Sequence, residues 1–527
     1  MREPTRTLAL TGAWTVFVTV SVLPVVLMLV GSVLTQGGAV SLAAYRGLVG
    51  DARQWQLLRT SLVLAGGATA IATALGVPVG FTLARVPLRG AHVWRLLLLA
   101  PLAIPPYVMA LAWMLATGPV GPLARVVPPD VLGRWAYSTS AAAITLGVCF
   151  FPLGMLGTEA ALRRVSGRGE DAARLVAAPV RAFTRITLPL VAPTISAALL
   201  MVFTLALTEF SVPGLLRVRV YTTEVFTAFS AYYDFARATA LAIPLMIAVL
   251  VLAGGTTFAV QSGPRSGPRS SASSKVDSPR ARRVALAAVV TASTLTVLGP
   301  LAILAWDATT AVRVTTAVAG ATPVAGTSVL IAAVTACSVI VVASVLGYAR
   351  AHGTRWGSWL DLLCVWLFAV PSTVVGIGLI AVWNRPGVGI AYGTPAMLVL
   401  AAAARSLPLA VLLMGAAGRQ LSPALEEAAA LSGASWGRVW RRIWLPQLRW
   451  ALGAVWGISF VLAFGELGAS VLVIPPRTMT LPVHVYTMVA NAAPGQLALL
   501  ALVQAAVALA GLGAAAFAVS RNPSWTG

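Results

Sequence analysis

Residues 427–446 read EAAALSGASWGRVWRRIWLP and form a polar interruption between two long apolar stretches. Helix-forming residues follow Ser422-Pro423, which is a typical N-cap and first helical position. Gly433 can end that helix in a left-handed conformation. Ser435 can cap a second helix that leads into the next apolar stretch. The segment therefore predicts a short helix–turn–helix at a membrane surface.

The apolar stretches on either side of this loop belong to a series that runs along the whole chain. The 527 residues are 58% hydrophobic and 10% charged, whereas ordinary soluble domains carry about 25% charged residues. A membrane-crossing helix needs about 20 apolar residues, and we predict twelve such spans: 7–45, 60–84, 96–124, 135–158, 186–208, 238–264, 284–306, 314–349, 362–384, 393–415, 450–474 and 478–520. The composition predicts an all-α polytopic membrane protein in a lipid bilayer and excludes a soluble enzyme or a nucleic-acid binder.

The charges predict the orientation of these spans. The formal net charge is +22, from 37 basic and 15 acidic residues. If the N-terminus lies inside, most of the basic residues fall on the inner segments, as the positive-inside rule requires. We therefore expect a multi-pass protein of a bacterial inner membrane with both termini in the cytoplasm.

A linker divides the chain into two halves of six spans each. Residues 261–283, QSGPRSGPRSSASSKVDSPRARR, have the composition of a flexible cytoplasmic linker. The predicted domains are a first half at 1–260 and a second half at 284–527. An even number of spans gives both halves the same orientation, which is the parallel repeat found in many transporters.

Short motifs recur in the two halves at one spacing. Ile186-x-Leu188-Pro189 recurs as Ile443-x-Leu445-Pro446, and Glu209 recurs as Glu466 at the same offset. Ala84-Arg85 also corresponds to Ala349-Arg350, at a slightly larger offset. Paired charges together with a matching motif favour a true internal repeat over a shared apolar composition.

The second-half loop carries a pattern that resembles a known family. Glu427-Ala428-Ala429, Gly433 and Ile443-x-Leu445-Pro446 form the full E-A-A-x3-G-x9-I-x-L-P pattern. It resembles the EAA loop of permease subunits of binding-protein-dependent ABC importers. The whole chain, with stretches such as 101–113 and 369–386, resembles the fused iron(III)-type permeases, a plan that thiamine permeases share.

The resemblance implies the fold and the partners. We expect the type I ABC importer permease fold, with two parallel six-helix repeats and with loops 159–189 and 419–449 contacting two copies of a cytoplasmic ABC ATPase. An extracytoplasmic binding protein would deliver the substrate, expected to be iron(III), or alternatively thiamine or another small organic cation. A twelve-span secondary transporter is the alternative from another class, and it would need no EAA loop.

The ATPase activity is expected on a separate subunit. A phosphate-binding P-loop requires a lysine, and the single lysine of the chain, Lys275, lies in the linker without the required glycines. ATP and Mg²⁺ are therefore expected on the partner, with no cofactor bound by this chain. The three cysteines and three histidines are scattered, so we predict no metal site and no catalytic residues.

The first copy of the loop departs from the pattern. Counting back from Pro189 without a gap aligns Glu170 with Glu427. A one-residue deletion instead aligns Asp171-Ala172-Ala173, and we prefer it because both alanines then match. Either alignment leaves the turn glycine missing, so the two loops are expected to dock differently.

A few residues within the apolar spans are candidates for the transport pathway. Glu209 and Glu466 lie near the outward ends of spans five and eleven, where they either attract a cationic substrate or form structural hydrogen bonds. Arg405 in span ten is interpreted as an arginine that snorkels or bridges helices. Pro105 and Pro371 interrupt helix hydrogen bonding within spans three and nine and are candidate hinges.

The second loop also carries a regular aromatic stripe. Trp436, Trp440 and Trp444 recur at every fourth residue, so they fall on one face of the predicted helix. We interpret this stripe as an anchor at the membrane–water interface.

Overall fold

The computed structural model describes residues 4–33, 41–42, 45–46, 48, 50–119, 121–164, 178, 181, 183–262, 276, 278–310, 314–353, 357–387, 389–491 and 495–521. In these ranges the regular secondary structure is helical and contains no strand. Among the described residues, ten helices are long and apolar enough to cross a membrane, and the number reaches twelve if each of two bent helix pairs counts as one span. The predicted all-α membrane fold is confirmed.

The helices before the linker are α1 (Pro4–Phe17), α2 (Leu23–Val33), α3 (Ala52–Arg85), α4 (Ala91–Ala103), α5 (Pro106–Thr117), α6 (Pro129–Ala136), α7 (Thr139–Arg164), α8 (Leu188–Thr208), α9 (Ser211–Leu215), α10 (Tyr221–Ser230) and α11 (Phe235–Ser262). A π-helical turn, Val18–Val22, joins α1 to α2, and another, Phe183–Thr187, precedes α8.

The helices after the linker are α12 (Pro279–Ser293), α13 (Gly299–Ala308), α14 (Val314–Ala351), α15 (Gly357–Ala369), α16 (Ser372–Trp383), α17 (Ala396–Gly418), α18 (Ala424–Leu431), α19 (Trp436–Val439), α20 (Leu445–Gln447), α21 (Arg449–Phe464), α22 (Ser470–Val473), α23 (Leu481–Met488) and α24 (Gln496–Ser520). π-helical turns join α12 to α13 and, as Trp440–Trp444, α19 to α20.

The chain forms two compact units, and the first helices of each half belong to the unit that contains most of the other half. The first-half unit comprises Asp51–Thr223 and Leu245–Ala311, and the second-half unit comprises Met1–Gly50, Glu224–Pro244 and Val312–Gly527. Within the second-half unit, α1 packs on α14 and α2 on α16; within the first-half unit, α12 and α13 pack on α3, α4 and α5. The boundaries of the sequence repeats at 260 and 284 stay a prediction, because these units are defined by packing.

Glycines permit close helix contacts within each unit. In the first-half unit a Cβ atom on Gly76 of α3 would lie 2.5 Å from the backbone oxygen of Phe151 in α7. In the second-half unit a Cβ atom on Gly347 of α14 would lie 2.6 Å from the Cβ atom of Met414 in α17. Small residues at a membrane helix interface allow backbones to approach in this way.

The predicted spans three and nine are broken rather than kinked. Helix α4 ends at Ala103 and α5 begins at Pro106, while α15 and α16 are bent by 99° at their break. Pro105 and Pro371 cap the second helix of each pair with nearly identical ψ angles of 137° and 136°. The predicted interruption of helix hydrogen bonding is confirmed, because the extended backbone at each proline ends one helix and starts another; the hinge role stays a prediction.

Each unit also fixes the start of a later helix in the same way. Ser61 of α3 accepts a hydrogen bond from the backbone nitrogen of Tyr221, at 3.0 Å, where α10 begins. Ser328 of α14 accepts one from the backbone nitrogen of Leu481, at 2.6 Å, where α23 begins. These contacts satisfy an N–H group that a helix start leaves without an intrahelical partner.

Candidate functional site

The loop after α17 folds as the predicted helix–turn–helix. Gly433 has a φ of +73°, and the nitrogen of Ala434 donates to the oxygen of Ala429 at 3.0 Å to close the turn. Pro423 is the N-cap rather than the first helical residue, which corrects the predicted start by one position. The left-handed turn at Gly433 is confirmed, and it sets α18 apart from the segment that returns to the membrane.

Helix α18 exposes one side of the loop. Glu427 is exposed, as are Ala428 and the apolar residues Leu425 and Leu431, with Leu431 90% exposed. Ala429 is half-buried beneath them. A carboxylate flanked by exposed leucines is an arrangement that suits contact with another protein.

Glu426 occupies the opposite side of α18 and holds it to the end of α14. The Tyr348 hydroxyl donates to Glu426 Oε2 at 3.1 Å, and His352 Nε2 lies 2.8 Å from the same oxygen. The Tyr348 and His352 rings lie 4.0 Å apart, centroid to centroid. Sequence reasoning missed these three residues, and the single available signal was that Glu426 stands beside the motif.

The tryptophan stripe packs inward onto Tyr348. The rings of Trp436 and Trp444 make edge-to-face contacts with Tyr348 at 5.7 and 5.5 Å, and Trp440 stacks on Trp436. Trp444 is fully buried. The interpretation as an interfacial anchor is therefore wrong, because the aromatic face has a protein partner that a helical periodicity cannot identify.

A cleft of about 730 Å³ opens between the loop and α1 in the second-half unit. Arg6 and Trp14 of α1 lie on one side, and Glu426, Glu427 and Trp436 lie on the other. The cleft places one basic and two acidic side chains beside the exposed face of α18.

Both I-x-L-P motifs end a π-helical turn. Ile186 lies in the turn Phe183–Thr187, after which Leu188 and Pro189 begin α8. Ile443 lies in the turn Trp440–Trp444, after which Leu445 and Pro446 form α20. The repeat therefore extends to local backbone geometry. The candidates Glu170, Asp171, Ala172 and Ala173 lie outside the described residues.

Glu466 and Arg405 form an ion pair within the second-half unit. Arg405 Nη1 of α17 lies 3.1 Å from Glu466 Oε2, and the Glu466 side chain is 2% exposed. The other carboxylate oxygen accepts from the nitrogen of Ala469 at 2.9 Å, just before α22. Arg405 thus bridges α17 to the segment that follows α21. Of the two roles predicted for Glu466, this geometry matches structural hydrogen bonding rather than attraction of a cationic substrate.

Glu209 holds the equivalent backbone position but a different partner set. Its carboxylate accepts from the nitrogen of Ser211 at 2.8 Å and from the Ser211 hydroxyl, where α9 begins. The side chain is half-buried, and it has no ion pair with any residue that the structure describes. Cys149 of α7 lies three residues before Pro152, just as Arg405 lies three residues before Pro408 in α17. The first half therefore has a thiol at the position where the second half has a guanidinium.

A buried arginine ties together three helices below the second loop. Arg350 of α14 donates through Nε and Nη2 to both carboxylate oxygens of Asp361 in α15, and through Nη1 to the Leu412 oxygen of α17 at 2.8 Å. The pKa of Arg419, where the loop begins, is lowered by desolvation and by the charge of Arg350, and Asp361 opposes this in part. Arg419 remains charged because guanidinium does not deprotonate in proteins.

At the equivalent junction of the first-half unit, the helix that corresponds to α15 carries a basic residue instead of an acidic one. Arg95 Nε of α4 donates to Glu159 Oε1 of α7 at 2.8 Å, and Arg163 Nη2 donates to the same oxygen at 2.8 Å. The second nitrogen of Arg95 reaches the Leu83 oxygen of α3. The acid of this cluster lies on α7, whereas the acid of the other lies on α15. Sequence reasoning missed both clusters.

Comparisons with known proteins identify the family. Residues 76–261 match the family described as binding-protein-dependent transport system inner membrane component. A molybdenum transport system permease protein, ModB of Mycobacterium tuberculosis, is 33% identical over 200 residues, which cover 35% of this chain and 74% of ModB.

The chain belongs to this family of inner membrane transport components. The permease is similar over both halves to two proteins whose names describe ferric transport system permeases, the first of them as putative. FbpB 1 of Haemophilus influenzae is 24% identical over 80% of this chain and 71% of its own length. FbpB of Actinobacillus pleuropneumoniae is 23% identical over 82% of this chain and 67% of its own length.

Family membership confirms the predicted class of protein. The chain is the permease of a binding-protein-dependent ABC importer, and such permeases work with a substrate-binding protein and an ATPase. The described residues contain no group of three or more His, Cys, Asp or Glu side chains that could hold a metal ion. The absence of a bound cofactor stays a prediction.

We predict that Arg405→Leu destabilises the permease because it leaves Glu466 buried without a partner. Removing one member of a buried ion pair costs about 3 to 5 kcal/mol, and thermal unfolding in detergent measures the loss. Arg134→Leu is the matched control, because the Arg134 and Asp130 side chains are 80% and 71% exposed and exposed pairs contribute little. Adding Glu466→Leu to Arg405→Leu should restore part of the stability. Equal melting temperatures for Arg405→Leu and Arg134→Leu would contradict the structural role of the pair.

Proposed function

We propose that the permease imports iron(III), which an extracytoplasmic binding protein delivers and two copies of a cytoplasmic ABC ATPase drive across the membrane. The observation that carries this proposal is the extent of similarity: the two ferric transport permeases match 80% and 82% of the chain. The molybdenum permease matches 35% of it. Similarity that covers both halves concerns the whole pathway rather than a shared six-helix module.

A molybdenum-containing anion is the second candidate substrate. The 33% identity to ModB exceeds the 24% identity to FbpB 1, although over fewer residues. The acids of the pathway candidates favour the cation, because Glu209 has no basic partner among the described residues that would make the site attractive to an anion.

The second loop is proposed to face the cytoplasm and to receive the ATPase. Arg438, Arg441 and Arg442 are exposed on it, and basic residues favour the cytoplasmic side. The exposed face of α18 offers Leu425 and Leu431 for burial and Glu427 for pairing with an arginine of the ATPase. Both termini are proposed to lie on the same side. ATP and Mg²⁺ are assigned to the ATPase, and this chain is proposed to act as a transport subunit without catalytic residues.

The two acids of the pathway are proposed to have different roles. Glu466 already has its charge neutralised by Arg405 and supports the start of α22. Glu209 is half-buried and keeps an unneutralised carboxylate, so it is the one of the two proposed to attract a cationic substrate. An uncompensated acid at membrane depth is costly, which favours a position facing protein or a water-filled pathway.

Uptake by the reconstituted importer tests the substrate. In proteoliposomes that hold the permease with its ATPase, and with the binding protein added on the outer side, we expect ATP-dependent import of labelled iron(III). Thiamine and molybdate should be left outside. Import of molybdate without iron(III) would overturn the substrate proposal in favour of the second candidate, and import of thiamine would support the organic-cation alternative instead.

A pair of glycine variants tests the loop. Gly433→Val should abolish uptake while membrane insertion is kept, because valine at a φ of +73° is strained by roughly 1–2 kcal/mol or more and the turn must rearrange. Gly437→Val is the control, since Gly437 has no positive φ and open space around it. Glu427→Lys should also abolish uptake by reversing the charge presented to the ATPase. Normal uptake by both loop variants would contradict the coupling role.

A second pair of variants tests the pathway acid. Glu209→Gln should reduce the initial rate of iron(III) uptake severalfold at low substrate concentration, because the amide keeps the hydrogen bonds to Ser211 but removes the charge. Asp130→Asn is the control, as Asp130 is an exposed acid in the same unit. Unchanged uptake by Glu209→Gln at a normal expression level would rule out the proposed attraction.

A further inference from the structure

The second loop is bound to the membrane helices through one carboxylate. Glu426 and Glu427 are neighbours in α18 but differ in environment: Glu427 is exposed, while the Glu426 side chain is 15% exposed. The Tyr348 hydroxyl and His352 both lie within hydrogen-bond distance of Glu426 Oε2. His352 is itself oriented by the backbone oxygen of Tyr348, 2.8 Å from Nδ1. Glu427 is thus available to a partner, while its neighbour Glu426 contacts the permease itself.

An aromatic contact reinforces this attachment on the returning segment. Tyr348 lies between the rings of Trp436 and Trp444, at 5.7 and 5.5 Å. Trp444 is fully buried beneath the end of α17, where a Cβ atom on Gly418 would lie 3.3 Å from its ring. The start and the end of the loop therefore converge on a single side chain of α14.

Helix α14 extends this attachment through the membrane domain. It is 38 residues long and packs against α17, α21 and α24 within the second-half unit. Packed helices are closely fitted and transmit displacement rather than absorb it. A movement of α18 is consequently passed to α14 through Glu426 and Tyr348.

The first half lacks the residues that hold Glu426, although the alignment preferred for its loop matches Glu170 to Glu426. The match of Ala84-Arg85 with Ala349-Arg350 places Leu83 at the position of Tyr348 and Pro87 at that of His352. The I-x-L-P match places Pro179, Phe183 and Thr187 at the positions of the three tryptophans. Leucine and proline side chains have no polar atom that could hold a carboxylate.

We propose that Glu426, Tyr348 and His352 form a clamp that makes the second loop the tightly coupled one, while the first loop engages its ATPase without a comparable attachment. The clamp residues are positioning residues: they do not contact the substrate, but they fix α18 to α14. The inference rests on the proposed function, because it concerns how ATPase movement reaches the membrane helices.

The test measures iron(III) imported per ATP hydrolysed in proteoliposomes that hold the permease, its ATPase and the binding protein. Tyr348→Leu, which copies the first half, should keep the ATPase bound and hydrolysing but lower this ratio by about tenfold, as expected for losing a hydrogen bond to a charged group. Glu426→Ala should do the same. Glu426→Gln should retain most of the ratio because its amide oxygen still accepts from Tyr348.

Controls separate coupling from folding. Tyr392→Phe removes a hydroxyl from a half-exposed tyrosine outside the clamp and should leave the ratio unchanged. If Tyr348→Leu fails to insert, Tyr348→Phe keeps the ring between the tryptophans and removes the donor alone, so the ratio should still fall. Combining Tyr348→Phe with Glu426→Ala should then add little to the loss in Glu426→Ala alone, because that change already removes the Tyr348–Glu426 hydrogen bond.

Two results would overturn the clamp. An unchanged ratio in Tyr348→Phe and Glu426→Ala would show that the attachment carries no movement. An equal loss of ATPase binding and import would show that it only shapes the docking surface. Failure of the proposed function is distinguishable, since the unmodified permease would then neither retain an ATPase nor import iron(III).

Discussion

The fold depends on the requirement that backbone N–H and C=O groups find partners where no water is available. Continuous helices meet this requirement within themselves, which is why the described chain is helical. Each interruption needs a specific solution. The breaks at Pro105 and Pro371 leave one fewer N–H to satisfy, and the breaks after α8 and α21 use the carboxylates of Glu209 and Glu466 to receive the N–H groups of the short helices that follow. The scarce acids of the spans are thus first of all backbone partners.

Ion pairs locate the junctions where helices must hold a fixed relation. Arg350 with Asp361, and Arg95 with Glu159, each tie a long helix to the broken pair that follows it and to the next span. The acid lies on α15 in the second half and on α7 in the first, but the connected helices correspond. Both halves connect the same three helices through an ion pair but build it from different residues. An acid and a base can lie on different helices of the three and still connect them.

The sequence predicts features that depend on local chemistry and misses those that depend on neighbours. Gly433 at a left-handed turn and the number of apolar stretches follow from residue type alone, and the structure confirms the turn. Trp436, Trp440 and Trp444 gave a correct helical face but a wrong environment, because periodicity does not reveal that Tyr348 lies opposite. Proline inside an apolar run is equally ambiguous, since kinked and broken helices share the same composition. Glu426 was overlooked because its role depends on a tyrosine 78 residues away.

A fused chain removes a constraint that a symmetric dimer of permeases would impose. In a homodimer every substitution occurs twice in equivalent positions, so a neutral residue beside one acid and an arginine beside the other could not coexist. Here Cys149 and Arg405 differ at matching positions of the two halves, and so do Leu83 and Tyr348. The same half that neutralises its acid also clamps its loop. Under the proposed function, such divergence separates two tasks that identical subunits would share: one half is proposed to supply the better anchored connection to the ATPase, and the other to use Glu209 to attract a cationic substrate.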